Sequence, residues 1–385
     1  MKALIYVQHL LGIGHLVRAK RIAEAMARHG IEPTIAQGGA PVDGLDWGEA
    51  RLIQLDPVHV APDAMSLLLA TDGTPFDAER QSRRQAALCQ IFNALQPDIL
   101  LIEAFPFGRR QMRFELLPLL SLAKESGKTL IVSSIRDILQ EQRKPERIAE
   151  TVAILRQCFD RVLVHGDPAI TPLAATFSAA DVISDLVAYT GLVGPPPVTQ
   201  PIREHELVVS VGGGAVGAGL LEAVIAALPQ SSLRDATTLL LTGPNAPPQV
   251  LRRLQERAGP SISIARFVPD LAARLAGSRL AIAQAGYNTV ADLLSTGCPA
   301  VLVPFAGEGE TEQLLRAQSM ASAGRAVLLH EIALSAATLA QAIDQAMILP
   351  RPPPFKGLDG AERTAKILLQ GLSDKDRQRR ASHRP

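Results

Sequence analysis

Gly12-Ile13-Gly14-His15-Leu16-Val17-Arg18 sets two glycines, an imidazole and a guanidinium just beyond a short apolar run at 3–7. Glycines at a strand-to-helix turn let backbone N–H groups approach a ligand, and a helix N-terminus favours an anion. A histidine directly after them offers a group whose ordinary pKa lies near neutrality, suited to general-base work. His15 is thus a candidate catalytic residue and Gly14 a candidate ligand-binding one. The plainer reading is a tight turn closed by a capping histidine. A dinucleotide fingerprint needs a third glycine where Val17 stands, so the loop does not read as an NAD site.

In open parallel sheets, ligands lie outside the carboxyl ends of the strands. The apolar run 99–102 is followed by Glu103, the run 129–132 by Arg136 and Asp137, and the run 161–164 by His165 and Asp167. With His15 these groups are expected on one rim. Glu103 is the second catalytic candidate, and Arg18, Arg136, Asp137 and His165 are acceptor-side candidates. Arg109 and Arg110 join them from Glu103-Ala-Phe-Pro-Phe-Gly-Arg-Arg110, which leads into the apolar stretch 112–120. Arginines beside an apolar stripe suit an anionic acceptor or peripheral contact with a membrane surface; the plainer reading is a helix start with a solvated basic face.

A second glycine loop, Ser210-Val-Gly-Gly-Gly-Ala-Val-Gly217, again stands between a strand and a helix and repeats the anion-cradling pattern, with Gly213 and Gly214 at its centre. The richest stretch follows: Arg266-Phe267-Val268-Pro-Asp270, then Gln284-Ala-Gly286-Tyr-Asn288-Thr289-Val-Ala-Asp292, then Gly297-Cys-Pro299, Pro304-Phe305 and Glu312-Gln313. Asn288 or Thr289 is expected to cap a helix over 289–296, whose N–H groups suit a diphosphate without a metal. Asp292, one turn on, suits a ribose diol, and Glu312-Gln313 suit sugar hydroxyls. Ser126-Gly127-Lys128-Thr129 is not a P-loop: Leu122 stands where its first glycine belongs, and the segment precedes a strand instead of following one.

Stepwise alternation of apolar strands with helices predicts an α/β protein of two doubly wound Rossmann-like domains facing a cleft. The expected boundaries are a first domain over 1–193, a proline-rich linker over 194–202 and a second domain over 203–350. A crossing segment with a helix over 351–372 and a basic disordered tail over 373–385 follow. Of 385 residues, 39 are basic and 38 acidic, and part of the basic excess sits in that tail. A nearly neutral body argues against nucleic acid as partner. Cys89, Cys158 and Cys298 match no metal spacing and read as reduced, mostly buried thiols. Residues 3–7 are too short for a signal segment, and no apolar run reaches a membrane span. A cytoplasmic chain is expected, with peripheral contact at the inner membrane face left open.

From Gly286 onward the motifs resemble those of the family-28 GT-B glycosyltransferases, the type that adds GlcNAc to murein precursors. That family carries Gly-x-x-Thr-x-x-Glu, Gly-x-Pro, Pro-Phe and Gln-Gln. Here these read Gly286-Tyr-Asn-Thr289-Val-Ala-Asp292, Gly297-Cys-Pro299, Pro304-Phe305 and Glu312-Gln313. The resemblance is closer still to a bacterial group with Gly-x-Gly-His-x-x-Arg and Phe-Pro-Phe-Gly-Arg-Arg. It implies a GT-B fold and a nucleotide-sugar donor, UDP-hexose or UDP-N-acetylhexosamine, as substrate rather than resident cofactor. The base would be read near Phe267-Val268, the ribose by Asp292, the diphosphate by Gly213, Gly214 and Thr289, and the hexose by Glu312-Gln313. Asp292 is shorter than the family's Glu, and Glu312 replaces a Gln. The only Asp-x-Asp, Asp374-Lys-Asp376, lies in the tail, so no metal is expected. The paired glutamates of common retaining enzymes are missing from the loop, which favours inversion. A UDP-sugar hydrolase of the pseudaminic-acid type, which shares Gly-x-Gly-His-x-x-Arg, is the main alternative. A UDP-GlcNAc 2-epimerase and a non-catalytic sugar-nucleotide-binding subunit are further ones.

Overall fold

The computed structural model describes residues 1–10, 13–42, 45–61, 64–140, 144–213, 217–243, 246–307 and 311–382. The chain divides into two compact units. One comprises Met1–Leu11, His15–Val193 and Asp359–Pro385; the other comprises Gly12–Gly14 and Gly194–Leu358.

In the first unit, strands β1 (Lys2–Val7), β2 (Glu32–Gln37) and β3 (Arg51–Gln54) lie to one side of the sheet. The hairpin β4 (Val58–Ala61) and β5 (Ala64–Ala70) stands apart from it. Strands β6 (Ile99–Glu103), β7 (Leu130–Arg136), β8 (Arg161–His165) and β9 (Val187–Tyr189) complete it in the order β3-β2-β1-β6-β7-β8-β9, all parallel. The apolar residues of β1 and β6 are buried on both faces of the sheet, which explains continuous apolar runs in place of alternation. Helix α1 (Gly14–Arg28) buries Leu16, Ala19, Ile22, Ala23 and Met26 at helical spacing, and Arg18 among them. Helices α2 (Ala78–Leu95), α3 (Arg113–Glu125) and α4 (Pro145–Cys158) link the later strands. The strand order reverses direction at β1 and β6, so residues just beyond these two strands share the switch-point crevice where ligands of such sheets bind.

The second unit repeats the plan. Strands β10 (Leu207–Ser210), β11 (Thr238–Leu241), β12 (Ile262–Ala265), β13 (Leu280–Ala283), β14 (Ala300–Leu302) and β15 (Ala326–Leu328) form a parallel sheet ordered β12-β11-β10-β13-β14-β15. Its switch point lies at β10 and β13. Helices α5 (Ala218–Ala227), α6 (Pro248–Arg257), α7 (Leu271–Gly277), α8 (Tyr287–Thr296), α9 (Glu312–Ser322) and α10 (Ala336–Met347) alternate with the strands. Gly217, at φ 112°, admits no side chain: a Cβ there would stand 2.6 Å from that of Val211.

Three expectations need correction. Helix α11 (Gly360–Ser382) runs through the segment expected to be a disordered tail, where Lys375 pairs with Asp160 at 2.6 Å and donates to the Thr129 carbonyl at 2.8 Å. Further back, Glu362 holds Arg28, the last residue of α1, and His29 just beyond it, so the last helix is part of the first unit. The proline-rich segment belongs to the second unit, and Ile202 bonds the Ala273 carbonyl at 2.9 Å. Of the cysteines only Cys298 is buried, and Cys89 and Cys158 are half-buried. Among the described residues, no helix is long and apolar enough to cross a membrane.

Candidate active site

His15 lies in the first turn of α1 and Glu103 ends β6, so both reach the switch point of the first sheet. His15 Nδ1 stands 3.0 Å from Glu103 Oε1. The imidazole is 15% exposed and the carboxylate 1%. Arg18, one turn further along α1 and itself buried, forms an ion pair with the same carboxylate oxygen. The other oxygen accepts from Ser134 Oγ at 2.9 Å.

Burial opposes ionisation of Glu103, but Arg18 and His15 outweigh it and hold the carboxyl well below the usual carboxylate range. Burial, reinforced by the Arg109 guanidinium, lowers His15 to about 3. Near neutral pH the ring is therefore uncharged. A neutral ring that donates from Nδ1 to a carboxylate presents a lone pair at Nε2, the arrangement of a general base.

The remaining candidates of this unit sort into separate places. His165 is fully buried, bonded to Ser134 and Thr190, so it is not an acceptor contact. Arg18 likewise turns inward, because the buried Glu103 charge requires a counter-charge. Asp137 is buried, and its Oδ1 accepts from the Ile138 amide at 2.8 Å. Arg110 and Arg113 both pair with Glu150, which removes Arg110 from the acceptor side. Arg109 parts from them: at φ 60° its backbone is left-handed, and its Nε donates to the Gln8 carbonyl at 2.8 Å. Burial and the charge of Arg136 press its pKa down to about 10, and Arg136 stands half-buried at the end of β7. Arg110 is as accessible as these two but is held by Glu150.

His9, near Arg109, is a residue that sequence reasoning missed. Burial lowers it to about 4, and its Nδ1 has no partner among the described residues. Burial also lowers His165 to about 3. Each of these histidines binds a proton more readily unfolded than folded, so its stabilising contribution is complete above about pH 6.5 and is lost as pH falls toward 4. Each should cost about 1.4 kcal/mol per pH unit in that window. Denaturant titrations at about pH 7.5, 6 and 5 should show steep loss of stability, partly relieved by His165→Gln. A midpoint that stays level over this range would contradict buried neutral histidines.

In the second unit Gly213 follows β10, half-buried; Gly214 lies outside the described residues, as does Gly12 of the first loop. Gly286, not Asn288 or Thr289, is the N-cap of α8, with extended dihedrals of −65° and 151°. Asn288 and Thr289 therefore fall in the first turn, beside N–H groups without intrahelical acceptors. The Asn288 Oδ1 is buried with no partner among the described residues. Phe267 is exposed and Val268 half-buried after β12. Asp292 is 5% exposed on the inner side of α8. Glu312, expected to meet sugar hydroxyls, is buried 3.6 Å from Arg316, which also donates to the Ala285 carbonyl and lies over the Tyr287 ring. Gln313 Oε1 accepts from the Phe305 amide at 3.1 Å and so fixes the Pro304-Phe305 turn.

Comparison with known proteins fits this layout. The structure resembles that of Acinetobacter baumannii MurG, with a TM-score of 0.56, 15% identity and coverage of 98% of this chain and 100% of that one. It also resembles a UDP-GlcNAc 2-epimerase from Methanocaldococcus jannaschii, with a TM-score of 0.58, 11% identity and coverage of 96% and 100%. The fold is thus the GT-B fold, shared by more than one chemistry. Residues 208–352, within the second unit, match the glycosyltransferase family 28 C-terminal domain. In sequence, the chain is 30% identical over 232 residues to the UDP-N-acetylglucosamine–N-acetylmuramyl-(pentapeptide) pyrophosphoryl-undecaprenol N-acetylglucosamine transferase of Alkalilimnicola ehrlichii. The alignment covers 57% of this chain and 63% of that relative, under two thirds of its length.

Proposed function

We propose that the chain is a glycosyltransferase that moves a hexose or N-acetylhexosamine from a UDP-sugar to an acceptor hydroxyl, with inversion and without a metal. The observation that carries this reading is the contact of His15 Nδ1 with Glu103, in a chain whose residues 208–352 match the family-28 C-terminal domain. His15 Nε2 takes the proton of the acceptor hydroxyl as its oxygen bonds to the anomeric carbon. The bond from that carbon to the diphosphate oxygen breaks, and its electron pair leaves with UDP. One displacement with no covalent intermediate inverts the anomeric carbon. The N–H groups that open α8 and the glycine loop after β10 stabilise the departing charge, the kind of contribution that is often largest in such sites. Asp292 is assigned to the ribose and Gln313, with the turn it fixes, to the sugar.

Incubation with a panel of UDP-sugars and no acceptor tests the reading through the rate of UDP release. The expected outcome is selective binding of one UDP-sugar, with slow release that depends on His15. Rapid His15-dependent conversion to free sugar would replace the transferase with a hydrolase. Isomerised UDP-sugar would instead mark an epimerase.

A further inference from the structure

His15 can accept a proton at Nε2 only in the tautomer that carries its own proton on Nδ1. Two groups compete for that nitrogen. Glu103 Oε1, at 3.0 Å, accepts from Nδ1–H and enforces the tautomer that makes a base. Arg18 Nη2, at 3.3 Å, is a donor, and it satisfies Nδ1 only when the ring proton has moved to Nε2. How the Glu103 carboxylate is turned decides between them. An arginine and a carboxylate favour a fork in which both oxygens face one guanidinium. That geometry would draw Oε1 away from the ring.

A chain of buried groups behind Glu103 prevents this. Ser134 stands opposite Glu103 in the β6–β7 register and donates to Oε2 at 2.9 Å. Because Glu103 is ionised and can only accept, the single hydroxyl proton of Ser134 goes to it. Ser134 Oγ therefore accepts from His165 Nε2–H, also at 2.9 Å. His165 Nδ1 is then the acceptor for Thr190 Oγ1, at 2.8 Å. The Thr190 hydroxyl lies equally close to the Gly191 carbonyl, and its proton turns to the ring while the ring is neutral. Ser134, His165 and Thr190 are all 0% exposed, so water offers none of them an alternative partner.

The geometry points to Ser134, oriented by His165, as the positioning residue that sets the tautomer of His15 by holding Glu103 Oε2 away from the Arg18 fork. This rests on the reading of His15 as the base, yet it can be tested without any transfer reaction. In the full chain labelled with ¹⁵N-histidine at about pH 7, with the His15 signals assigned from His15→Asn, the wild type should show a protonated Nδ1 and an unprotonated Nε2. Ser134→Ala should reverse the majority form. His165→Gln, whose amide keeps a donor near the position of Nε2, should retain the wild-type pattern, and His165→Leu should lose it. In a UDP-release assay kcat should fall by the same factor as the Nδ1–H population. A folded Ser134→Ala variant with the wild-type pattern overturns the inference. Should that variant not fold, identical patterns in His165→Gln and His165→Leu overturn it equally. A reversed tautomer with unchanged kcat would uphold the positioning role and instead remove His15 as the base.

Discussion

His15→Ala is expected to lower kcat for UDP release by about 10²–10⁴-fold, the usual worth of a general base, while UDP-sugar affinity stays within about threefold. The split follows from where the groups sit. The ring belongs to α1, and the donor candidates Gly213, Phe267, Asp292 and Gln313 belong to the second unit. Residual activity should persist, because N–H groups stabilise the leaving diphosphate without the base. The fold should tolerate the change: Glu103 retains Arg18 and the Ser134 hydroxyl as partners. Calorimetry and a coupled UDP assay on the same preparation give both numbers. A kcat within about threefold of wild type would remove His15 from the chemistry.

Arg84→Leu should destabilise the first unit by about 3–5 kcal/mol, the range for breaking a buried ion pair by removing one partner. Arg84 and Glu115 both have 0% exposed side chains and form a fork with bonds of 2.8 and 2.9 Å. The same guanidinium donates to the carbonyls of Gly38 and Asp56 and to Gln8 Oε1, which ties α2 to the loops beyond β1, β2 and β3. Gly38 makes room for it, since a Cβ there would stand 2.2 Å from Arg84 Nη2. Gln8 in turn receives the Arg109 side chain on its carbonyl, so the loss should reach the neighbourhood of His15. Urea titration should show the lower midpoint, and Arg84→Met with Glu115→Leu should recover part of it. If Arg84→Leu unfolds at the wild-type midpoint, the pair contributes no net stability.

The strands around the site could be read from the sequence because they are buried on both faces. Ala3 to Val7 and Ile99 to Ile102 are unbroken apolar runs, and a parallel topology followed from the helices between them. Edge elements were harder to read: Arg51–Gln54 pairs on one side only, carries polar residues at both ends, and its mean pattern is that of a loop. The meeting of His15 and Glu103 was legible, since each follows a strand that had been recognised. The role of Ser134 was not. Ile131-Val-Ser-Ser-Ile135 reads as strand filler, and only the observation that both serines are buried shows that each must have a partner, Phe105 O for Ser133 and Glu103 for Ser134. Nor did any spacing separate Arg84 from Arg83 beside it, because which of two adjacent arginines turns inward is decided by a glutamate 31 residues away. The basic cluster at 109–113 is a partly exposed helix start, as its plainer reading expects, but no spacing foretells that Glu150, on another helix, pairs with Arg110 and Arg113 and leaves Arg109.

The most direct measurement is calorimetric titration of the full chain with UDP and with UDP-GlcNAc in the presence of a chelator. The account predicts saturable binding of the UDP moiety with no metal, weakened about tenfold or more by Asp292→Asn, as expected when a charged hydrogen-bond acceptor is lost. Failure to bind either ligand at millimolar concentration, or binding only after a divalent cation is restored, would contradict it.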